Sequence, residues 1–152
     1  MFHLNDAASA ATRGPILSSN DATRLELIAL SETGELRKKI FDKISSAQLV
    51  SGQDITPDVA TIGSILRYQI DNARIERRTL SLPEVTRPNG QFISLLTPVG
   101  LALLGAQEGD ELIVNLVDEA TLKLRLHKVE FQPEAEVRRR STLVPDNGPG
   151  AA

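Results

Sequence analysis

Residues that could carry acid–base or metal chemistry are few in this chain. It has two histidines, His3 and His127, and no cysteine. The lack of thiols excludes a disulfide framework, a thiolate zinc site and a cysteine nucleophile. The two imidazoles do not stand at a metal-ligand spacing, no glycine-rich phosphate loop appears, and His127 lies within a predicted strand. We therefore predict that the protein is not an enzyme and holds no cofactor and no metal.

Two acidic residues, Glu32 and Glu35, flank Gly34 at a predicted turn. Carboxylates at such an apex could be presented to a Mg²⁺ ion bound by a partner, since Mg²⁺ prefers oxygen ligands and keeps open positions. The alternative is that Glu32 ends one helix and Glu35 begins the next, where the helix macrodipole stabilises a negative charge. The residues alone leave both interpretations open.

The overall composition argues against independent binding to nucleic acid. The 152 residues include 17 basic and 20 acidic side chains, and only 3% are aromatic. Strong binding to DNA or RNA draws most of its affinity from cations placed against phosphates, and base stacking needs aromatic rings. No secretory signal and no apolar run long enough to span a bilayer appears. We expect a cytoplasmic protein that does not contact a membrane.

The elements that would position these residues begin with two helices. Asn20 or Asp21 is a suitable N-cap for a helix that ends near residue 31, and a second helix starts near Glu35. Because Gly34 breaks the pattern between them, residues 20–51 predict a short antiparallel helical hairpin. The second helix carries an apolar stripe, with three lysines placed off it: Leu36, Ile40, Ile44 and Ala47 against Lys38, Lys39 and Lys43.

After a linker at residues 52–58, the hydrophobic period changes to that of strands. Strands are predicted at about residues 62–70, 74–82, 92–96, 112–117 and 121–131, with a short helix that starts at Pro98 and ends at Gly105. The last strand falls out of phase after Leu126, which predicts a bulge near His127. Residues 59–132 therefore form a mainly antiparallel domain, and the fold class is α+β. The ends, residues 1–19 and 133–152, are predicted to be a flexible arm and a flexible tail.

The most distinctive local motif is TPVGLALLG at residues 97–105. A glycine so early in a helix implies that another backbone approaches Gly100 closely, because Gly costs about 1 kcal/mol relative to Ala there. Leu101, Leu103 and Leu104 cannot all face one way on so short a helix, and at least one is expected to reach the surface or a partner.

These residues carry a resemblance to known families. Residues 97–105, followed by GDE at 109–111, are similar to the C-terminal domain of the Gre transcript-cleavage factors. DVAT at 58–61, RTL at 78–80, TPVG at 97–100 and EFQPEA at 130–135 more closely resemble the family of regulators of nucleoside diphosphate kinase (Rnk). The resemblance covers about residues 21–134.

The resemblance implies an FKBP-like domain that binds bacterial RNA polymerase at its secondary channel, with DNA or RNA met only inside that complex. Gre factors reach the active site with a long coiled coil whose two acidic tip residues help to hold Mg²⁺, and Glu32 and Glu35 show the same separation. The hairpin here is much shorter, so we predict a transcription regulator that binds without stimulating cleavage, linked by family to regulation of nucleoside diphosphate kinase. The candidate polymerase contacts are Thr97, Pro98, Val99, Gly100, Leu101 and Leu104.

Two alternatives remain at this point. An FKBP-like prolyl isomerase needs an aromatic pocket, and the folded parts offer only Phe41, Tyr68, Phe92 and Phe131. A self-associating module would pair the stripe of the second helix in trans, whereas we expect a monomer. A group of arginines around the first two strands could also meet an acidic partner surface, or nearby nucleic acid in a larger complex, although interleaved acidic residues favour a solvated face; these are Arg67, Arg74, Arg77 and Arg78.

Overall fold

The computed structural model describes residues 14–85, 90–116 and 118–143. In chain order the elements are β1 (Ile16–Ser18), α1 (Ser19–Leu30), α2 (Gly34–Ser46), β2 (Gln48–Val50), β3 (Ile65–Ile70), β4 (Glu76–Ser81), a 3-10 turn (Pro83–Val85), β5 (Phe92–Ser94), α3 (Pro98–Leu103), β6 (Glu111–Asn115), β7 (Thr121–Phe131) and α4 (Pro133–Leu143). The mixed α+β class predicted from the sequence is confirmed.

A five-stranded sheet in the order β5-β4-β3-β7-β6 forms the larger part of the fold. The pairs β3–β4, β3–β7 and β6–β7 are antiparallel, and only the pairing of β5 with β4 is parallel. Alternate residues face the core: in β3, Leu66 and Tyr68 are buried while Arg67 is exposed. This is the alternation expected of a sheet with one face in solvent.

The predicted bulge in β7 is present. Arg67 pairs with Lys128 and Tyr68 with Leu126, so His127 is an extra residue on that strand. A second irregularity lies one step further, between Leu66 and Ile65. Because of the extra residue, Leu126 and Val129 both face the core and are buried, although they lie three residues apart.

The N-terminal part is a helix pair closed by two short strands. β1 and β2 run parallel, and the Gln48 amide also donates to the Pro15 carbonyl at 2.9 Å. Ser18 caps α1, since its Oγ accepts from the Asp21 amide at 3.1 Å. The prediction of Asn20 or Asp21 as the cap is therefore wrong.

The helix pair and the sheet share one core. Leu25 and Ala29 of α1 and Ile40 of α2 belong to the same buried cluster as Leu66 of the sheet and Leu103 of α3. The remaining stripe residues, Leu36, Ile44 and Ala47, pack against this cluster. The stripe proposed for pairing in trans is thus covered by the protein's own core.

The predicted flexible ends do not hold for the residues that the structure describes. Residues 14–19 form β1 and the start of α1, and residues 133–143 form α4. Polar contacts hold α4: Arg138 Nη1 donates to the Gly52 carbonyl at 2.8 Å, and Thr61 Oγ1 donates to Glu134 at 2.8 Å. The rest of the predicted arm and tail, residues 1–13 and 144–152, lies outside the described residues.

None of the helices in the described ranges has the length and apolar character that crossing a membrane requires.

Candidate interaction surface

The start of α3 is organised by Thr97. Its Oγ1 donates to the Ser94 carbonyl at 2.8 Å and accepts from the Gly100 amide at 3.0 Å, which caps the helix. Pro98 occupies the first turn, where the missing N–H group has no helical partner to lose. Both Thr97 and Pro98 are exposed and Val99 is half-buried. The sequence TPV therefore forms a rigid surface ridge.

Gly100 is held against a backbone, as predicted, and that backbone belongs to its own sheet. A Cβ atom at this position would lie 2.0 Å from the Ser94 carbonyl oxygen. No side chain fits there without moving the chain between β5 and α3. Gly100 is buried, and its lack of a side chain shapes the ridge.

The three leucines of the motif are all buried, contrary to the prediction that at least one reaches the surface. Leu101, Leu103 and Leu104 have exposed fractions of 7%, 0% and 0%. The helix ends at Leu103, and Leu104 adopts an extended conformation with ψ 121°. It therefore leaves the helical face pattern and turns into the core.

A groove of about 600 Å³ separates the ridge from α2. Its lining includes the first turns of α2, the start of α3 and the end of β6: Glu35, Leu36, Lys39, Leu96, Thr97, Pro98, Leu101, Asn115 and Leu116. The structure thus brings Glu35, from the predicted hairpin tip, next to three candidate contact residues. Glu32 is half-buried on the preceding turn and does not line this groove.

Two lysines of α2 extend this surface, although the sequence placed them off the apolar stripe. Lys43 Nζ donates to the Leu104 carbonyl at 2.7 Å, and Lys39 Nζ donates to the Asn115 carbonyl at 3.5 Å. Burial lowers the pKa of Lys43 to about 8. The sequence places Lys43 off the apolar stripe, yet it lies three residues after Ile40, a spacing that shares a helix face.

A second groove of about 370 Å³ lies on the other side of the ridge. Its lining includes Ile70, Arg78, Phe92 and Val99, and Phe92 is the aromatic residue among its described lining. Tyr68 is buried beneath the sheet, and Phe41 lies on α2 under the guanidinium of Arg37. The aromatic residues in the described ranges do not converge on one pocket, so the geometry does not favour prolyl isomerase chemistry.

Within the described ranges, no group of three or more His, Asp or Glu side chains is placed to hold a metal ion. His127 is half-buried in β7, where its Nε2 lies 3.0 Å from Gln69 Oε1. Glu35 is exposed in the first turn of α2, the position at which the macrodipole accounts for an acidic residue.

The arginines around the first two strands pair with acids of their own sheet. Glu130 binds both Arg67 and Arg77, the latter at 2.6 Å. Glu76 lies 3.6 Å from Arg74 and 3.4 Å from Arg78. This pattern supports the solvated-face interpretation of these arginines.

Comparison with known proteins gives concordant results. The chain is 28% identical over 125 residues to the regulator of nucleoside diphosphate kinase of Escherichia coli K12, covering 79% of this chain and 91% of that protein. It is 38% identical over 66 residues to transcription elongation factor GreA of Solidesulfovibrio magneticus, covering 38% of this chain and 40% of that protein.

A solved structure agrees with this placement. The prokaryotic transcription elongation factor GreA/GreB from Nitrosomonas europaea superposes with a TM-score of 0.64 at 30% identity, covering 78% of this chain and 98% of that one. The model of the family described as "Transcription elongation factor, GreA/GreB, C-term" matches residues 55–131, about half of the chain. The chain therefore belongs to the GreA/GreB C-terminal family of transcription elongation factors.

Proposed function

We propose that this protein is a non-enzymatic transcription regulator of the Rnk and Gre type, which binds bacterial RNA polymerase at the rim of the secondary channel without stimulating transcript cleavage. The sheet domain is the docking part and corresponds to the FKBP-like domain of the resemblance. The helix pair corresponds to the Gre hairpin in shortened form.

The position of the helix pair is the observation that carries this proposal. The first turn of α2 lines the same groove as Thr97 and Pro98, so Glu35 lies at the docking surface itself. α2 has 13 residues, a length of roughly 20 Å at 1.5 Å per residue, and it packs along the domain through Ile40. A carboxylate that stays beside the docking surface cannot coordinate a metal ion deep inside the partner.

Thr97 and Pro98 are the main contact residues in this proposal, with Val99 beside them. Leu101 adds only the small part of its surface that faces the groove. Gly100 and Leu104 act indirectly, because both are buried and set the shape of the ridge. Interface energy concentrates in a few residues near the centre of a contact.

Capture of purified polymerase by wild type and by Pro98→Asp tests the docking surface. We expect the variant to lose at least about tenfold in affinity, because a carboxylate replaces an apolar contact at the centre of the surface. Val137→Asp is the matched control, since Val137 is an exposed apolar residue on α4. Equal capture by all three proteins, with matched melting curves, rejects the ridge as the contact.

The second half of the proposal is tested with stalled elongation complexes. Wild-type protein should leave the rate of RNA cleavage at its background value, whereas a cleavage-active Gre factor added in parallel should raise it. Acceleration by the wild type that is lost in a Glu32→Ala, Glu35→Ala variant would overturn the proposal.

The proposal extends to the setting of the protein. We place it in the cytoplasm, where its partner works, as a monomer that meets DNA or RNA only within the polymerase complex. By similarity to the E. coli relative, regulation of nucleoside diphosphate kinase is included as one outcome of its action.

A further inference from the structure

Beyond the ridge, the groove continues as a basic stretch between α2 and the edge strand β6. This stretch has a volume of about 230 Å³. Among the described residues its lining contains two lysines, one asparagine and apolar side chains, and no carboxylate: Lys39, Lys43, Pro98, Leu101, Ala102, Ile113, Val114 and Asn115. Ile113 stands on its rim with 64% of its surface exposed. The stretch therefore offers two ammonium groups beside an apolar wall.

The two lysines are held in place by backbone carbonyls rather than by acids. Among the described residues neither forms an ion pair, and their contacts are with Leu104 and Asn115. Two acids line neighbouring cavities: Glu35 lies in the groove that Lys39 also lines, and Asp110 lies in a cavity that Lys43 also lines, where its Oδ2 accepts from the Gln107 amide at 2.9 Å. The arginines of the sheet, in contrast, are matched with Glu76 and Glu130.

Uncompensated charge of this kind favours an anionic partner. Burial lowers the pKa of Lys43. A carboxylate brought into the stretch would meet two cations in a partly desolvated site, where an ion pair is stronger than in water. The apolar wall would accept a side chain next to that carboxylate.

We propose that Lys39 and Lys43 form an acid-recognition subsite that receives an Asp or Glu side chain of the polymerase, flanked by an apolar residue that packs on Ile113. This inference rests on the proposed function. It adds to the ridge a second contact of defined chemistry, and it fixes the orientation of the protein on its partner.

Affinity for purified polymerase is measured across a salt series for wild type, Lys39→Glu, Lys43→Met and Lys38→Glu. Lys38 is the matched control, because it lies on the same helix, is exposed and pairs with Asp42 at 3.0 Å. We expect Lys39→Glu to bind about tenfold more weakly with a shallower salt dependence, and Lys38→Glu to match wild type. Lys43→Met keeps the apolar stem and should show the same direction of change.

The outcomes separate the two proposals. If wild type binds and all the variants bind equally well, the subsite is wrong and the proposed function stands. If folded wild type does not bind, the proposed function fails and the subsite fails with it. Zero-length carbodiimide cross-linking adds a direct readout, because it joins amines only to carboxylates. We expect links from Lys39 or Lys43 to polymerase acids; links from this surface only to carboxylates of the same chain would overturn the subsite.

Discussion

Asp21 is an acidic residue buried in the core, and its carboxylate ties α1 to the start of the sheet domain. It is 2% exposed, and its Oδ2 accepts from the Ile62 amide at 3.0 Å. Burial raises the pKa of Asp21 from 3.8 to about 6, with Glu134 acting in the same direction; the Ile62 hydrogen bond and Arg24 oppose the shift. The folded state therefore binds a proton on Asp21 more tightly than the unfolded chain does.

An Asp21→Asn variant should change how stability depends on pH. The amide keeps an acceptor oxygen for Ile62 and removes the titration. Because the folded pKa is raised, the proton stabilises the wild-type fold fully below about pH 4, and this contribution is lost as the pH rises through about 6. By about pH 8 the variant should exceed wild type by roughly 2–3 kcal/mol in unfolding free energy, with near equality at about pH 4.

Urea unfolding of both proteins across this pH range measures the difference directly. Other carboxylates, such as Glu136 with its lowered pKa, affect both proteins alike and cancel in the comparison. A difference in unfolding free energy that stays constant with pH would contradict this account of Asp21.

Some of these residue roles could be predicted from the sequence, and others could not. A glycine in the first turn of a helix signals close backbone approach, and Gly100 shows that approach. Asp21 had the local context of an N-cap, but its partner, Ile62, is 41 residues away. Lys43 likewise depends on a carbonyl 61 residues distant. Contacts of that range leave no periodic pattern.

Among the elements, α4 is the helix that hydrophobic periodicity missed. Its charged sequence buries little apolar surface, and Val137 remains 64% exposed. The helix is held to the domain by polar contacts, including the bond from Arg138 to the Gly52 carbonyl, while the pairs of Glu136 with Arg139 and Arg140 lie within the helix itself. Hydrophobic periodicity identifies a helix by its apolar face, and the sequence of α4 carries too few apolar residues to form one.

Arg138→Ala should loosen α4 selectively. Loss of one charged hydrogen bond to the Gly52 turn should speed amide exchange in residues 133–143 by about tenfold, while the protection of β3 and β7 is retained. Arg139→Ala is the control, because the contacts of Arg139 lie within the helix, on Glu136. Hydrogen–deuterium exchange with mass spectrometry resolves the two cases, and equal exchange in both variants would mean that Arg138 does not anchor the helix.

At the scale of the whole molecule, the helix pair and the sheet should unfold together because they share one core. Leu25 of α1 is fully buried in that core, whereas Leu27 of the same helix is 63% exposed. Leu25→Ala should lower the unfolding free energy by about 2–4 kcal/mol, and Leu27→Ala by less than about 0.5 kcal/mol.

Two probes of the same denaturation series test this cooperativity: far-ultraviolet circular dichroism and exchange of the β3 and β7 amides. Coincident midpoints in wild type and a joint shift in Leu25→Ala are expected. Separate transitions would show instead that the helix pair is an independent unit.

The alternation of apolar residues predicted the sheet and the bulge in β7. Both depend on the spacing of apolar residues within a single strand, which can be seen in the sequence. The side-by-side packing of the helix pair on the domain was not predictable in this way. It depends on Ala29 and Ile40 meeting residues of the sheet and α3, which are distant in sequence. The sequence indicated two short helices, but it did not indicate that they pack along the sheet domain.

The turn between α1 and α2 is a position at which the length of both helices can change without loss of stability. Ser31, Thr33 and Gly34 are exposed, and a Cβ built on Gly34 has no neighbour within 4 Å. Matched insertions of whole helical turns on either side would lengthen both rods outward, while the core below stays intact. A protein with a short hairpin and a protein with a long one could thus share the same domain and differ only in the number of helical turns added at this position.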